Sequence, residues 1–426
     1  MKPSRSRHSS AEKPLGPRSK IKFSESAVHD FIYQNDWSGF FKDEAILDVT
    51  PRVRPLESFE LWKVIKQKVM ERLSELHELV RNGELVGSKV KLKGTWAKPM
   101  ELDMLGRHEE GIFVCELKVD SASERNSFTE LLGYSQYIAE LFAMSGHQDV
   151  VNVLIAPLFT QIARYGYLYD LLINDRKTVV YQPILDEEDE LSSLRFSLHI
   201  PSDFEFRQFA NQLISHDGMA CAVGAFNLEG SQFVEDRDGL LPPRGAAQLE
   251  QLGRYAAQLM EADRLHGFCF VSKARPEHKN MFDTLLYICA TNPFTTADAT
   301  RWRTLEGQLK DDNYLQEAAE SGFYGRLITI LNRALRMVGS PALGDLDTPE
   351  WNQVVKNWAD LYSSHNLGFS PTGVFREAFS SYIEQQYRQN QYRRHSHDLP
   401  KFPISVLYNW GTAWTFMEQV GLRGDR

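Results

Sequence analysis

An α/β fold is the expectation from this sequence, and three observations lead to it. Residues 100–105 and 112–119 are two short runs either side of a polar bend at 106–111, the pattern of a β-hairpin. A long helical stretch precedes them at about 58–80, and a second follows at about 125–145. Val150-Val151-Asn152-Val153-Leu154-Ile155-Ala156 then forms an apolar run of strand length.

In chain order, residues 1–25 come first. Lys2, Arg5, Arg7, Lys13, Arg18, Lys20 and Lys22 stand there against Glu12 alone, among Ser and Pro with no periodicity. The segment reads as a disordered basic tail, either inert or in non-specific contact with phosphates. Within the hairpin, a period of two sets Glu116 and Lys118 on one face of the second strand, with Asp103 able to sit beside them. Two carboxylates are hard oxygen ligands for Mg²⁺, or for Mn²⁺ in its place. An ammonium beside them can orient water and stabilise charge on a phosphate. Phe128, Leu131, Leu132, Ser135, Ile138, Ala139 and Phe142 recur at helical spacing and mark the core stripe of the following helix. Thr178-Val179-Val180-Tyr181-Gln182 is a further strand, and residues 186–190 an acidic linker.

The constellation of Asp103 and Glu116-Leu117-Lys118, set in this order of elements, resembles the PD-(D/E)xK nuclease superfamily. The match covers roughly residues 58–185. The resemblance implies a restriction-endonuclease-like αβββαβ core, metal coordination by Asp103 and Glu116, and Lys118 as the group that handles water and phosphate. Family members often carry Gln four residues before a Tyr on the second helix. Here Tyr134 fits, but Glu130 holds the Gln position, which leaves Gln136 as the candidate for orienting water or phosphate, or as an exposed helix residue. An acidic ligand from the first helix is also common in the family; Glu60, Glu71, Glu75 and Glu78 are all available, and the sequence does not choose among them. The competing structural reading is a salt-bridged strand pair on a sheet surface.

Beyond this region, residues 200–298 read as an α/β accessory region, with an amphipathic helix at 249–260 and a buried strand at 267–271. Residues 299–426 look helical. Thr348-Pro349-Glu350 is a helix-start signal, and Ser370-Pro371 precedes a helix running towards Arg394. At its end Arg388, Arg393 and Arg394 interleave with Tyr387 and Tyr392, either as a nucleic-acid-binding surface or as ordinary cations at a helix C-terminus. His395 and His397 read as solvated rather than metal-bound.

Composition bounds these readings. The chain has 426 residues, enough for two or three domains, with 42% hydrophobic and 25% charged residues. Its formal charge of −9 is not that of a protein that coats DNA, although an acidic nuclease can hold a locally basic cleft. Cys115, Cys221, Cys269 and Cys289 lack paired metal-ligand spacing and suit a reducing compartment. With no apolar run of about 18 residues and no signal-peptide core, a cytoplasmic location and no membrane partner are expected. No GxxxxGK[ST] loop is present, so any motor or sensor would be a separate ATPase partner. The expected function is a metal-dependent DNA endonuclease, homo-oligomeric, in restriction or anti-phage defence by analogy with Shedu-type systems, whose domain order differs. The alternative is a non-catalytic nucleic-acid-binding or assembly protein that keeps the fold.

Overall fold

Ser24 starts the first helix. Its hydroxyl accepts from the Ala27 N–H at 3.2 Å and caps helix α1 (Glu25–Gln34), whose Val28 and Ile32 are buried. The computed structural model describes residues 22–41, 60–92, 100–142, 149–174, 176–186, 190–213, 218–236, 240–275, 277, 282–295, 315–338, 347–354, 359, 363–393 and 408–422. Most of the expected basic tail and the middle of the acidic linker lie outside these residues. The chain divides into two units, residues 1–51 with 67–201 and residues 52–66 with 202–426.

In the part of α2 (Leu61–Arg81) that belongs to the first unit, from Gln67 on, Val69, Leu73, Leu76 and Val80 are buried, a three-and-four spacing that makes one stripe. Strands β1 (Glu84–Leu92), β2 (Met100–His108) and β3 (Gly111–Leu117) form an antiparallel meander. Two short helices, α3 (Ser121–Glu124) and α4 (Ser127–Glu140), carry the chain over to β4 (Val150–Ile155), which is parallel to β3. Helix α5 (Gln161–Tyr169) makes a second crossover to the parallel β5 (Thr178–Ile184), and β6 (Arg195–Leu198) closes the sheet antiparallel. The six strands are ordered as in the chain. Helix–three strands–helix–strand is therefore the observed order from α2 to β4.

The hairpin is longer than expected. β2 runs on to His108, and Glu109 and Glu110 alone make the turn. Gly106, expected at the start of the bend, is inside the strand opposite Phe113. A Cβ there would meet the Phe113 ring at 2.0 Å, so the glycine makes room for the aromatic rather than for a turn. Phe113 stacks on Trp37 at 5.7 Å, and Phe40 on Phe196 at 5.2 Å, in an aromatic layer on this face of the sheet. α2 closes it: the Trp37 indole donates to the Val80 carbonyl at 2.7 Å, and His77 Nδ1 lies 3.0 Å from the Tyr181 hydroxyl.

The second unit is built on a four-stranded antiparallel sheet. Its elements are α6 (Asp203–Leu213), β7 (Met219–Phe226), α7 (Pro243–Ala262), β8 (Gly267–Ala274), β9 (Thr284–Thr291), α8 (Leu315–Arg336), β10 (Ser363–Thr372), α9 (Val374–Arg393) and α10 (Trp410–Gln419). The strand order is β10-β8-β9-β7. Alternation decides the two faces. Cys221, Val223, Phe268, Phe270, Tyr287 and Cys289 pack with Phe375 and Phe379 of α9 and Phe416 of α10. Ala220, Ala222, Cys269, Val271, Leu286 and Ile288 pack with Leu252 and Ala256 of α7 and Phe323 and Leu327 of α8.

Three expectations change here. A border near residue 298 does not exist, because β10 from the supposedly helical region is the partner of β8. Ser370 and Pro371 lie in that strand, and the helix starts after them at Val374. Thr348 caps nothing: residues 347–350 are held extended against β7, with the Val223 N–H donating to the Asp347 carbonyl at 2.9 Å and Ala220 bridged to Glu350. A helical turn, Trp351–Gln353, is described after it, with Glu350 as its cap residue. All four cysteines are free and buried. Among the described residues no helix is long and apolar enough to cross a membrane.

Candidate functional site

The hairpin register assembles the acidic pair. Met104 faces Cys115, and one further step sets Asp103 opposite Glu116 on the same face of neighbouring strands. Asp103 is fixed by its own strand partner, since one carboxylate oxygen accepts from the Leu117 N–H at 2.9 Å. Lys118 is the first residue past β3, yet its N–H continues the parallel ladder by donating to the Ile155 carbonyl at 2.8 Å. The side chains of Glu116 and Lys118 are 3% and 9% exposed, and Lys118 Nζ donates to Glu116 Oε1. Asp103, Glu116 and Lys118 are thus brought together at the buried end of the hairpin. A salt bridge on an open sheet surface is not what this is.

Helix α4 covers that face. The Tyr134 hydroxyl donates to the Glu101 carbonyl at 2.8 Å, and one turn earlier Glu130 Oε2 stands 3.1 Å from Lys118 Nζ, close enough for an ion pair but not aligned as a hydrogen bond. Gln136 is elsewhere. It is exposed, and its amide donates to Glu140 at 3.3 Å. At about 100° per residue it lies roughly 200° round the helix from Tyr134, on the solvent side. The contribution of α4 to the cluster is Glu130 and Tyr134.

Three of the four acids named for the first helix have other partners, and Glu75 is exposed. Glu60 pairs with Lys63, Glu71 takes the Gln67 amide at 2.9 Å, and Glu78 takes the Asn82 amide at 3.2 Å. A further carboxylate within electrostatic reach of Asp103 and Lys118 is Glu25, at the start of α1. His29, one turn on, brings α1 to β2: its Nε2 lies 3.0 Å from the Asp103 carbonyl, while Nδ1 lies 3.2 Å from Asp30. A Ser24 cap followed by Val28 and Ile32 is the sequence signal that could have located α1.

The chain beyond Lys118 is tied down. Asp120 accepts from the Ala122 and Ser123 N–H groups at 2.7 and 2.9 Å. Fully buried Glu124 accepts from the Phe159 and Thr160 N–H groups at 3.0 and 2.9 Å and from the Thr160 hydroxyl at 2.8 Å. The exit from β3 is thereby pinned to the start of α5.

Electrostatically the cluster holds too many acids for one ammonium. Burial, and then the Asp103 charge, push Glu116 up to about 9 despite its bond to Lys118. Burial raises Asp103 as well. Burial pulls Lys118 down, but the charges of Glu116, Glu130 and Glu25 outweigh it and hold the ammonium charged. Tyr134 is raised by burial and by Glu116, Glu130 and Asp103. The second oxygen of Glu116, Oε2, is buried and has no hydrogen-bond donor. Such an atom calls for a proton or a cation. Among the described residues, no group of three or more His, Cys, Asp and Glu stands ready around a metal position. As folded here, Lys118 occupies the place beside Glu116.

The side chains of Arg388 and Arg393, and all of Arg394, His395 and His397, lie outside the described residues. Tyr387, beside them in the sequence, is partly buried against the core of the second unit. No family model matches the chain, and neither a curated protein nor a solved structure is significantly similar to it.

Proposed function

We propose that the protein is a metal-dependent endonuclease that hydrolyses DNA phosphodiester bonds at Asp103, Glu116 and Lys118. The observation that carries this reading is the hairpin register, which sets buried Glu116 and half-buried Asp103 side by side with an ammonium against Glu116 and leaves Glu116 Oε2 without a donor. The order from α2 to β4, with its antiparallel meander and parallel fourth strand, supports the resemblance to PD-(D/E)xK nucleases. Asp103 and Glu116 would hold Mg²⁺ or Mn²⁺, a hard cation suited to carboxylate oxygens. When bound, it would polarise a phosphate oxygen and acidify a water. The Leu117 N–H, which donates to one Asp103 oxygen, would hold that carboxylate in position. Glu116 would hold the cation together with Asp103, and the Lys118 ammonium beside it would donate to the attacking water or to a phosphate oxygen. By analogy of architecture alone, the role is restriction or anti-phage defence.

The alternative, a non-catalytic nucleic-acid-binding or assembly protein, draws on one observation: Lys118 is seated on Glu116 rather than free. Nicking of supercoiled plasmid by purified protein, with Mg²⁺ or with EDTA, separates the two. We expect Mg²⁺-dependent nicking that Asp103→Asn or Glu116→Gln reduces to background while circular dichroism stays native. Wild-type rates in either variant would refute the site.

A further inference from the structure

Glu130 is the carboxylate from outside the two strands that stands within ion-pair distance of Lys118; Glu25 acts on it through its charge. It sits in the first turn of α4, its side chain is 38% exposed, and its Oε2 lies 3.1 Å from Lys118 Nζ. Lys118 is therefore held from two directions, by Glu116 from its own strand and by Glu130 from the helix above. The two restraints differ in what a cation does to them. A divalent ion that recruits Glu116 takes that carboxylate away from the ammonium. Glu130 is left as the partner that remains.

Resting on the nuclease reading above, we propose that Glu130 is the positioning residue of Lys118, keeping the ammonium aimed at the space between Asp103 and Glu116 once a cation has engaged Glu116. A lysine side chain has four rotatable bonds and a compact charge, and it needs a second anchor to stay in one place. The helix gives Glu130 a fixed origin: one turn later the Tyr134 hydroxyl is bound to the Glu101 carbonyl at 2.8 Å, so α4 is tied to β2 beside Asp103. Glu130 already stands 3.1 Å from Lys118 from this side. Its second setting, an acid at the positive end of a helix, is a purely structural role and makes a different prediction.

The test uses the full chain and Glu130→Gln, which keeps the shape and removes the charge. Glu130→Asp is the conservative companion, keeping the charge on a shorter arm. Three quantities are measured for each: Mn²⁺ affinity by calorimetry, affinity for a DNA duplex in Ca²⁺, and single-turnover nicking in Mg²⁺. The expected result for Glu130→Gln is a nicking rate lower by about 10- to 100-fold, with Mn²⁺ and DNA affinities within about twofold of wild type. Glu130→Asp should recover part of the rate. A thermal shift with an unchanged nicking rate would leave Glu130 as a helix-end charge and overturn the proposal. A tenfold loss of Mn²⁺ affinity would make it a metal ligand and overturn it equally. If Glu130→Gln does not fold, the proposal stands or falls on Glu130→Asp: a reduced rate at unchanged affinities supports it, a wild-type rate ends it. Failure of the wild-type protein to nick DNA in Mg²⁺ would remove the nuclease reading and this proposal together. The other adverse outcomes remove the proposal alone.

Discussion

Glu116 is the residue on which the chemistry of the hairpin turns. A carboxyl paired with an ammonium usually ionises more easily, but here burial and Asp103 act against the pair and the balance is upward, to about 9. The consequence for stability follows from the sign of that shift. Below the ordinary value of 4.5 the group is protonated in both folded and unfolded chains and contributes no difference. As pH rises from there towards 9, the unfolded chain releases the proton freely and the folded chain does not, so stability falls across the window. Glu116→Gln removes this penalty. In metal-free buffer the variant should be more heat-stable than wild type, by a margin that grows from about pH 5 to about pH 9 at no more than about 1.4 kcal/mol per pH unit. Thermal melts at several pH values with EDTA present would check this. A difference that is flat or shrinks with pH would mean that Glu116 is not the strained acid. A cation able to satisfy Oε2 would reverse the ranking, stabilising the wild type alone.

Among the elements, β2 carries the tightest steric demand in the first unit. Gly106 has the Phe113 ring over it, and that ring in turn stacks on Trp37 under α2. Adding one methyl group would push the ring out of the aromatic layer, because a Cβ at 2.0 Å cannot be accommodated by a small shift. Gly106→Ala should therefore destabilise the protein by about 1–3 kcal/mol, the usual range for overpacking a well-filled core. Chemical denaturation gives the value directly, and a loss below about 0.5 kcal/mol would show that Phe113 has room to move. The same hairpin register sets Asp103 opposite Glu116, so a displaced ring also loosens the site. Closer to the site, the three donors gathered by Glu124 fix the backbone after Lys118, which makes α3 and the start of α5 part of the scaffold that aims the ammonium.

For the whole molecule, the second unit is the part whose extent the sequence misled most. Its sheet is closed at one edge by β10, a strand about 70 residues beyond β9 in the chain, and both faces are covered by helices that lie after residue 298. A close approach holds β10 to α7: a Cβ on Gly253 would come within 2.7 Å of the Gly368 carbonyl, and Gly368 itself has a positive φ of 63°. A chain ended at residue 298 would expose the β8 edge and the apolar faces that α8, α9 and α10 cover. We expect such a truncation to be insoluble or aggregated, while the full chain stays soluble under the same conditions. A soluble truncation with cooperative melting would show that 200–298 folds without its later partners.

Much of the first unit was legible from order and periodicity alone. The long helix, the hairpin with Asp103, Glu116 and Lys118, the helix after it and the apolar strand at 150–155 all stand close to where residue spacing put them. These are local patterns, set by a period of two or 3.6 and by the sign and size of neighbouring side chains. What the sequence could not decide was which distant groups join them. Glu130 rather than Gln136 meets Lys118, because the helix face is chosen by how α4 lies on the sheet. Glu25 rather than an acid of α2 enters the field of the site, because His29 docks α1 on β2. Thr348 loses its capping role to β7, and Ser370-Pro371 become strand, because backbone pairing across the sheet outweighs a local propensity. Local chemistry wrote the hairpin and its acids; the packing of α1, α4 and β10, made of contacts between residues far apart in the chain, decided their company.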